Sequence, residues 1–306
     1  MTETGPLSRK RLLRQFPWAA EHDQKMVIAA NLDGLLSAAL LHHHFGWRIV
    51  GYYDDEELWL AEEESRLDDL IWVAIPACRQ EFRSISTAVM TTDSQVPDSL
   101  AGCCNPNLVA GIGAEAFDLR YPFSTLLFLL WLHNVPVRKN LVARLLALAA
   151  ADSWMAYQQN QARCRSWFDR LPGMDWKWLF QRVDSALFEQ RLRDKLIAPL
   201  ERLVGAMISS ASLGRHLGVP NPQVIFNPDW DDDIALHITA FAGTYLKWSP
   251  PPLPAVASRG RGELLRIATD RQEILSIPDD LPAGGVLSCA FSSNDTVKFT
   301  AFTKDL

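Results

Sequence analysis

Along its first third the chain alternates between short runs that are apolar at every position and longer stretches in which apolar residues return every three or four. Residues 26–30 (MVIAA) are such a run, the pattern of a strand covered on both faces. Asn31-Leu32-Asp33-Gly34 ends it, and helical spacing follows with Leu36, Ala39 and Leu40 on one side until Gly46 stops the helix. Residues 48–53 (RIVGYY) and 70–75 (LIWVAI) predict a second and a third strand, separated by an acidic stretch over 54–69. Strand, helix, strand in this order predicts an α/β protein with a parallel sheet and crossover helices. A weaker strand is predicted over 84–90 (SISTAVM), followed by a loop of turn formers that contains Asn105-Pro106-Asn107.

From 121 to 211 the pattern is almost wholly helical. Residues 121–134 and 137–160 predict a helix pair broken at Pro136. Residues 182–212 predict a long amphipathic helix, with Val183, Leu187, Leu196, Leu200, Leu203 and Met207 on one stripe and a kink at Pro199. The composition then shifts: Pro220, Pro222 and Pro228 precede Asp231, Asp232 and Asp233, and Pro250, Pro251, Pro252 and Pro254 form a stiff loop. Strands are predicted over 262–269, 286–292 and 296–303, the last two joined as a hairpin at Ser293-Asn294-Asp295. The organisation read from this pattern is an α/β domain over 1–180, a connecting long helix over 181–219 and a small α+β unit over 220–306.

Composition narrows the partners. The 306 residues are 48% hydrophobic and 22% charged, an ordinary globular balance. A formal net charge of −6 argues against non-specific coating of nucleic acid, which rests on many contacts from Lys and Arg to phosphate. Two local basic clusters are candidates for phosphate contact: Arg9, Lys10, Arg11 and Arg14, and Arg259, Arg261 and Arg266. Five cysteines without a Cys-x-x-Cys pair argue against structural zinc and fit a reducing, cytoplasmic setting. The apolar run over 123–132 is too short to cross a bilayer, and the charged first thirty residues carry no signal-peptide core, so no membrane association is expected.

The candidate chemistry begins at Asp33. A carboxylate just past the first strand of a parallel sheet, followed by glycine and a helix, lies in the crevice where such folds bind ligands. Gly34 allows a tight turn, and the helix start, with Ser37 one turn on, is a candidate phosphate-binding element. The three consecutive histidines His42, His43 and His44 diverge by about 100° each on a helix and cannot face one ion together. Asp54, at the end of the second strand, is the best substitute carboxylate.

Asn31-x-Asp33-Gly34-x-x-Ser37-Ala38-Ala39-Leu40-Leu41, the strand ending Gly51-Tyr52-Tyr53, the strand LIWVAI, Asn105-Pro106-Asn107 and Asp152-Ser153 together resemble the DHH phosphoesterase family over roughly residues 26–160. That family includes RecJ-like exonucleases, small-oligonucleotide phosphodiesterases and pyrophosphatases. The resemblance implies a two-metal site, usually of manganese, that activates water against a phosphate ester. It places ligands at Asn31 and Asp33, at Ala74, at Ser86-Thr87-Ala88 and at Asp152. Most of those side chains are not competent donors, and hard divalent cations need several charged oxygens in fixed geometry. The family's glycine-rich substrate contact is matched in part by Ala283-Gly284-Gly285-Val286.

The expectation is therefore a catalytically degenerate protein without a cofactor, in which Asn31, Asp33 and Asp152 are vestiges and Gly34 and Ser37 form a phosphate-binding remnant. It would act as a scaffold or subunit with a protein partner in an assembly that acts on nucleic acid. Two alternatives stay open. One is an active phosphodiesterase on nucleotides or oligonucleotides, with manganese or magnesium held by Asp33, Asp152 and Asp54. The other is a nucleotide sensor that holds a phosphate without cleaving it.

Overall fold

The computed structural model describes residues 5–61, 66–204, 233–268 and 286–302. A seven-stranded, mostly parallel sheet runs through the centre, in the order β6-β5-β4-β1-β2-β3-β7. Its strands are β1 (Lys25–Ala29), β2 (Arg48–Tyr53), β3 (Glu57–Leu60), β4 (Ile71–Val73), β5 (Arg83–Ile85), β6 (Cys103–Cys104) and β7 (Ser258–Arg261). Strands β6, β5, β4, β1 and β2 pair in parallel; β3 and then β7 add antiparallel at one edge. A mixed α/β fold, expected from the alternation, is what the chain forms. The chain passes from β1 to β2 on one side and later returns to β4 on the other. The strand order thus reverses at β1, and a crevice opens beyond the strand ends there.

Both faces of the sheet are covered, which is why its strands are apolar throughout. Met26 and Ile28 face one way with Ile71 and Val73, into a large helical core. Val27 and Ala29 face the other way with Trp72, under Leu287 and Phe302 from the end of the chain. The helical core is built on α2 (Leu32–Phe45), in which residues 32–41 are all buried, and on α4 (Thr125–Leu132), in which every residue is buried. Helices apolar on all sides belong inside a protein, and α2 lies between the sheet, α4 and the late helix α11 (Asp233–Leu246). Around them pack α1 (Arg9–Gln15), α5 (Leu141–Ala149), α6 (Ser153–Gln159), α7 (Gln161–Arg170), α8 (Trp176–Leu179), α9 (Ala186–Leu192) and α10 (Ala198–Val204); the short α3 (Pro106–Val109) follows β6.

Several elements end earlier than the apolar pattern predicts, each for a local reason. The strand expected over 84–90 stops at Ile85, because the Asn105 and Asn107 side-chain amides draw the carbonyls of Thr87 and Ala88 out of the ladder. The helix expected from 121 begins at Thr125, where the Ser124 hydroxyl accepts from Leu127 N. The helix expected over 137–160 begins after Asn140, which caps Val142 and Ala143. It breaks at Ala151 and Asp152, both in left-handed backbone. The helix expected over 182–212 runs as α9, a wide π turn over Arg193–Ile197, and α10. The missing N–H of Pro199, in the first turn of α10, accounts for the loosened spiral ahead of it. Leu187, placed on the buried stripe by its spacing, is 45% exposed, whereas Leu196 and Leu200 are buried. Met207 lies outside the described residues, as do Ala283-Gly284-Gly285 and Asp231-Asp232.

The described residues of 220–306 divide between layers. Helix α11 packs on α2 and α5, and β7 extends the main sheet. A second sheet forms in the order β8-β10-β9, from β8 (Glu263–Ala268), β9 (Val286–Phe291) and β10 (Thr296–Ala301), with the expected hairpin at 292–295. Arg259 and Arg261 of β7 pair with Glu57 and Glu56, so two members of the second basic cluster neutralise the acidic turn after β2.

Gly34 is required by close approach rather than by an unusual backbone angle. A Cβ there would lie 2.0 Å from the Ala29 carbonyl oxygen, so the first turn of α2 touches the end of β1. Gly34→Ala must push helix and strand apart, and overpacking of this kind costs about 1–3 kcal/mol or more. Urea unfolding is expected to show a lowered midpoint with unchanged slope; an unchanged midpoint would contradict the contact.

Candidate functional site

The crevice beyond β1 and β4 gathers most of the residues that the sequence singles out. Asn31 follows β1, Ala74 follows β4, Ser86 follows β5 and Asn105 follows β6, so all four lie at the C-terminal ends of parallel strands. Asp33 is one residue into α2, and Asp152 sits at the α5–α6 break, which packs against α2 and α4.

What these groups do is satisfy one another and the backbone. The Asn31 side-chain oxygen accepts from Gly34 N at 2.9 Å, the ordinary duty of an N-cap. Asp33 is 6% exposed, and each of its oxygens is used: Oδ2 accepts from Thr125 N and Oδ1 from Leu126 N, both at 2.9 Å. The Ser37 hydroxyl, fully buried, donates to Oδ1 at 3.5 Å. Asp33 therefore closes the first turn of α4, a second buried helix, and joins Ser124 in meeting the donors that a helix start leaves without partners. Burial pushes the Asp33 pKa up, against the pull of the two N–H bonds and of Ser37. Ser124 N donates in turn to Ser153 Oγ at 3.0 Å, which ties α4 to the residue after Asp152.

Asp152 is also buried, and burial lifts its pKa to about 7. The Trp154 indole lies near enough to favour the carboxylate slightly, but its N–H makes no hydrogen bond of ordinary geometry. The backbone here is strained: Ala151 has φ 44° and Asp152 φ 49°. Ala74, where the resemblance expects a metal ligand, is left-handed too, at φ 61°. Alanine in this region costs about 1–2 kcal/mol per residue.

The remaining candidates go elsewhere. Asp54 is exposed, and its Oδ1 accepts from Glu56 N at 3.1 Å and Glu57 N at 2.8 Å, closing the β2–β3 turn. The three histidines take separate partners: His42 faces the Trp47 carbonyl at 2.9 Å, His43 faces Ser249, and His44 stands edge-on to Trp248. Asn107 is fully buried; its amide donates to Thr87 O and its oxygen accepts from Tyr121 N at 2.7 Å. All five cysteines are free. Burial pushes the Cys103 thiol up to about 11 and those of Cys164 and Cys289 up to about 12, which leaves them protonated and poor nucleophiles at neutral pH.

Two features of the crevice were not read from the sequence. One is the role of the Thr125 and Leu126 amides as partners of Asp33, although Ser124 before an all-apolar run is a legible cap signal. The other is where the second sheet docks: its strands are predicted, but not that β9 bridges Ala77 and Val89 past the ends of β4 and β5. There the Tyr53 hydroxyl donates to Asp55 O at 3.0 Å and lies 2.6 Å from Ser288 Oγ.

This donor set does not fit a dinuclear metal centre. The one carboxylate at the end of β1 has both oxygens engaged with backbone N–H groups, Asn31 is occupied as a cap, and Ala74, Thr87 and Ala88 offer no anionic donor. Among the described residues no group of three or more His, Cys, Asp or Glu is placed to hold an ion. No helix among them is long and apolar enough to cross a membrane. Comparison with known proteins finds no matching family model, no matching curated protein and no matching solved structure.

Two variants test these assignments. Asp33→Ala leaves two buried N–H groups without acceptors at about 1–3 kcal/mol each, so a large fall in unfolding free energy is expected by chemical denaturation; near-wild-type stability would refute the cap. For Asp152, the folded state favours the neutral acid, so its contribution is complete below the unfolded pKa of 3.8 and is lost as pH rises through about 7. Asp152→Asn keeps a residue tolerant of left-handed backbone and removes that titration. It is expected to be more stable than the parent by up to about 4 kcal/mol near pH 8, with the gap closing toward pH 4. A gap that does not change with pH would contradict the assignment.

Proposed function

We propose that the chain is a catalytically degenerate DHH-like protein, a phosphoesterase-type fold that serves as a scaffold or subunit of an intracellular assembly acting on nucleic acid. The observation that carries this reading is the use of both Asp33 oxygens as a helix cap. Thr125, Leu126 and Ser37 together take three of the about four lone-pair sites of the carboxylate, so bidentate coordination of an ion would orphan a buried donor.

Strain supports the same reading. Two positions that the resemblance marks as ligands, Ala74 and Asp152, hold left-handed backbone, strain of a kind that clusters at functional sites; Asp23, Asn134, Arg182 and Lys247 share it elsewhere in the chain. The second sheet, bridged onto the strand ends through β9, offers a further reason to read the crevice as closed structure rather than as a substrate cleft.

The test pairs metal analysis with turnover. After incubation with manganese and gel filtration, the protein is expected to retain well under about 0.1 ion per chain, because two carboxylates are too few to hold a dinuclear centre. It is also expected to leave bis(p-nitrophenyl) phosphate and a short oligonucleotide uncleaved. Stoichiometric manganese together with cleavage that Asp33→Asn abolishes would overturn the proposal.

A further inference from the structure

At the other end of α4 from the Asp33 cap, a cavity of about 380 Å³ opens between α1, the α4–α5 loop and the turn before α8. This is the lower part of the size range of small-molecule sites. Its walls are apolar, from Leu130, Val135, Val137, Met174 and the Trp178 ring, and two cations, Arg9 and Lys139, stand against one carboxylate, Asp175.

Arg9 is held in place by neutral groups. Its guanidinium lies 5.4 Å from the Trp131 ring centroid, and the Gly173 backbone packs beside it, close enough that a Cβ there would be 3.2 Å from both Nη atoms. Nη1 donates to the Asn134 side-chain oxygen at 2.8 Å, and the solvent-excluded Nε has no partner among the described residues. No ion pair of Arg9 with a carboxylate is found among the described residues, and burial lowers its pKa. Lys139, in contrast, pairs with Asp175 and sits 4.4 Å from the Trp178 ring centroid. The seated guanidinium puts its charge and its remaining Nη donors on the cavity wall for a carboxylate or phosphate, and the aromatic and aliphatic walls suit a flat apolar body.

We propose that this cavity binds a small organic anion, a planar apolar body bearing one carboxylate or phosphate, with Arg9 as its anchor. The site is separate from the crevice, since neither Asp33 nor Asp152 lines it, and it stands whether or not the crevice is catalytic.

The test is isothermal titration of the full chain with 2-naphthoate, 2-naphthyl phosphate and the neutral 2-naphthalenemethanol. At least one anion is expected to bind saturably with a Kd below about 1 mM, and the alcohol at least about tenfold more weakly; which anion binds better identifies the head group. Arg9→Lys keeps the charge but removes the guanidinium, and is expected to weaken the anion by about tenfold. Lys139→Met, on the facing wall, gives a second variant should Arg9→Lys fold poorly, with a smaller loss expected. The proposal is overturned if no anion saturates up to about 10 mM, if the alcohol binds as tightly, or if a folded Arg9→Lys, or Lys139→Met where Arg9→Lys does not fold, binds like the parent.

Discussion

Asp33 stands in the first turn of one buried helix and accepts the first N–H groups of another, and the centre of the molecule is organised around that contact. Helices α2 and α4 are apolar on all sides, so hydrophobic burial drives both inward without choosing their mutual register. Directional bonds supply the choice. The Asp33 carboxylate sets the start of α4 against α2, Ser124 N carries the connection to Ser153, and the α5–α6 break is held against both helices as a result. A carboxylate in this role is favoured by the dipole at the start of α4 and opposed by its own desolvation. Three of the about four lone-pair sites of this acid already accept hydrogen bonds, which leaves little for a cation.

The second sheet extends that logic to the rim of the crevice. Strand β9 donates from Cys289 N to Pro76 O and from Phe291 N to Val89 O, and it accepts from Cys78 N at Leu287 O. It thereby takes up backbone groups that the short parallel strands leave unpaired at their ends. Tyr53 and Thr300 both donate to the Asp55 carbonyl, so the turn after β2 is fastened to β10 as well. On the far edge of the main sheet, Arg259 and Arg261 hold β7 against the acidic turn. Charges that look like a phosphate-binding cluster along the chain are thus spent on joining two distant segments.

Much of the fold was legible because burial on both faces leaves a simple trace. Runs such as MVIAA and LIWVAI have no polar position to hide, and Asn31 and Gly46 bracket α2 as cap and stop. Element ends were less legible, since they depend on partners far along the chain. Asn105 and Asn107 end β5, and the left-handed pair Ala151-Asp152 splits a helix whose composition favours continuing. At the crevice, the sequence brings Asn31, Asp33, Ala74 and Asp152 to neighbouring positions, and chemical type alone marks the donor set as poor. The occupation of Asp33 by α4 could not be read, because backbone N–H groups carry no sequence signature of their own. Leu187 shows the converse, an apolar spacing that reads as a buried stripe but faces outward.

The most direct measurement is a manganese-edge anomalous difference map from crystals grown with excess manganese. The account predicts no peak within coordination distance of Asn31, Asp33 and Asp152, with the Thr125 and Leu126 amides still bonded to Asp33. A strong peak at Asp33, with the first turn of α4 released from its carboxylate, would contradict it.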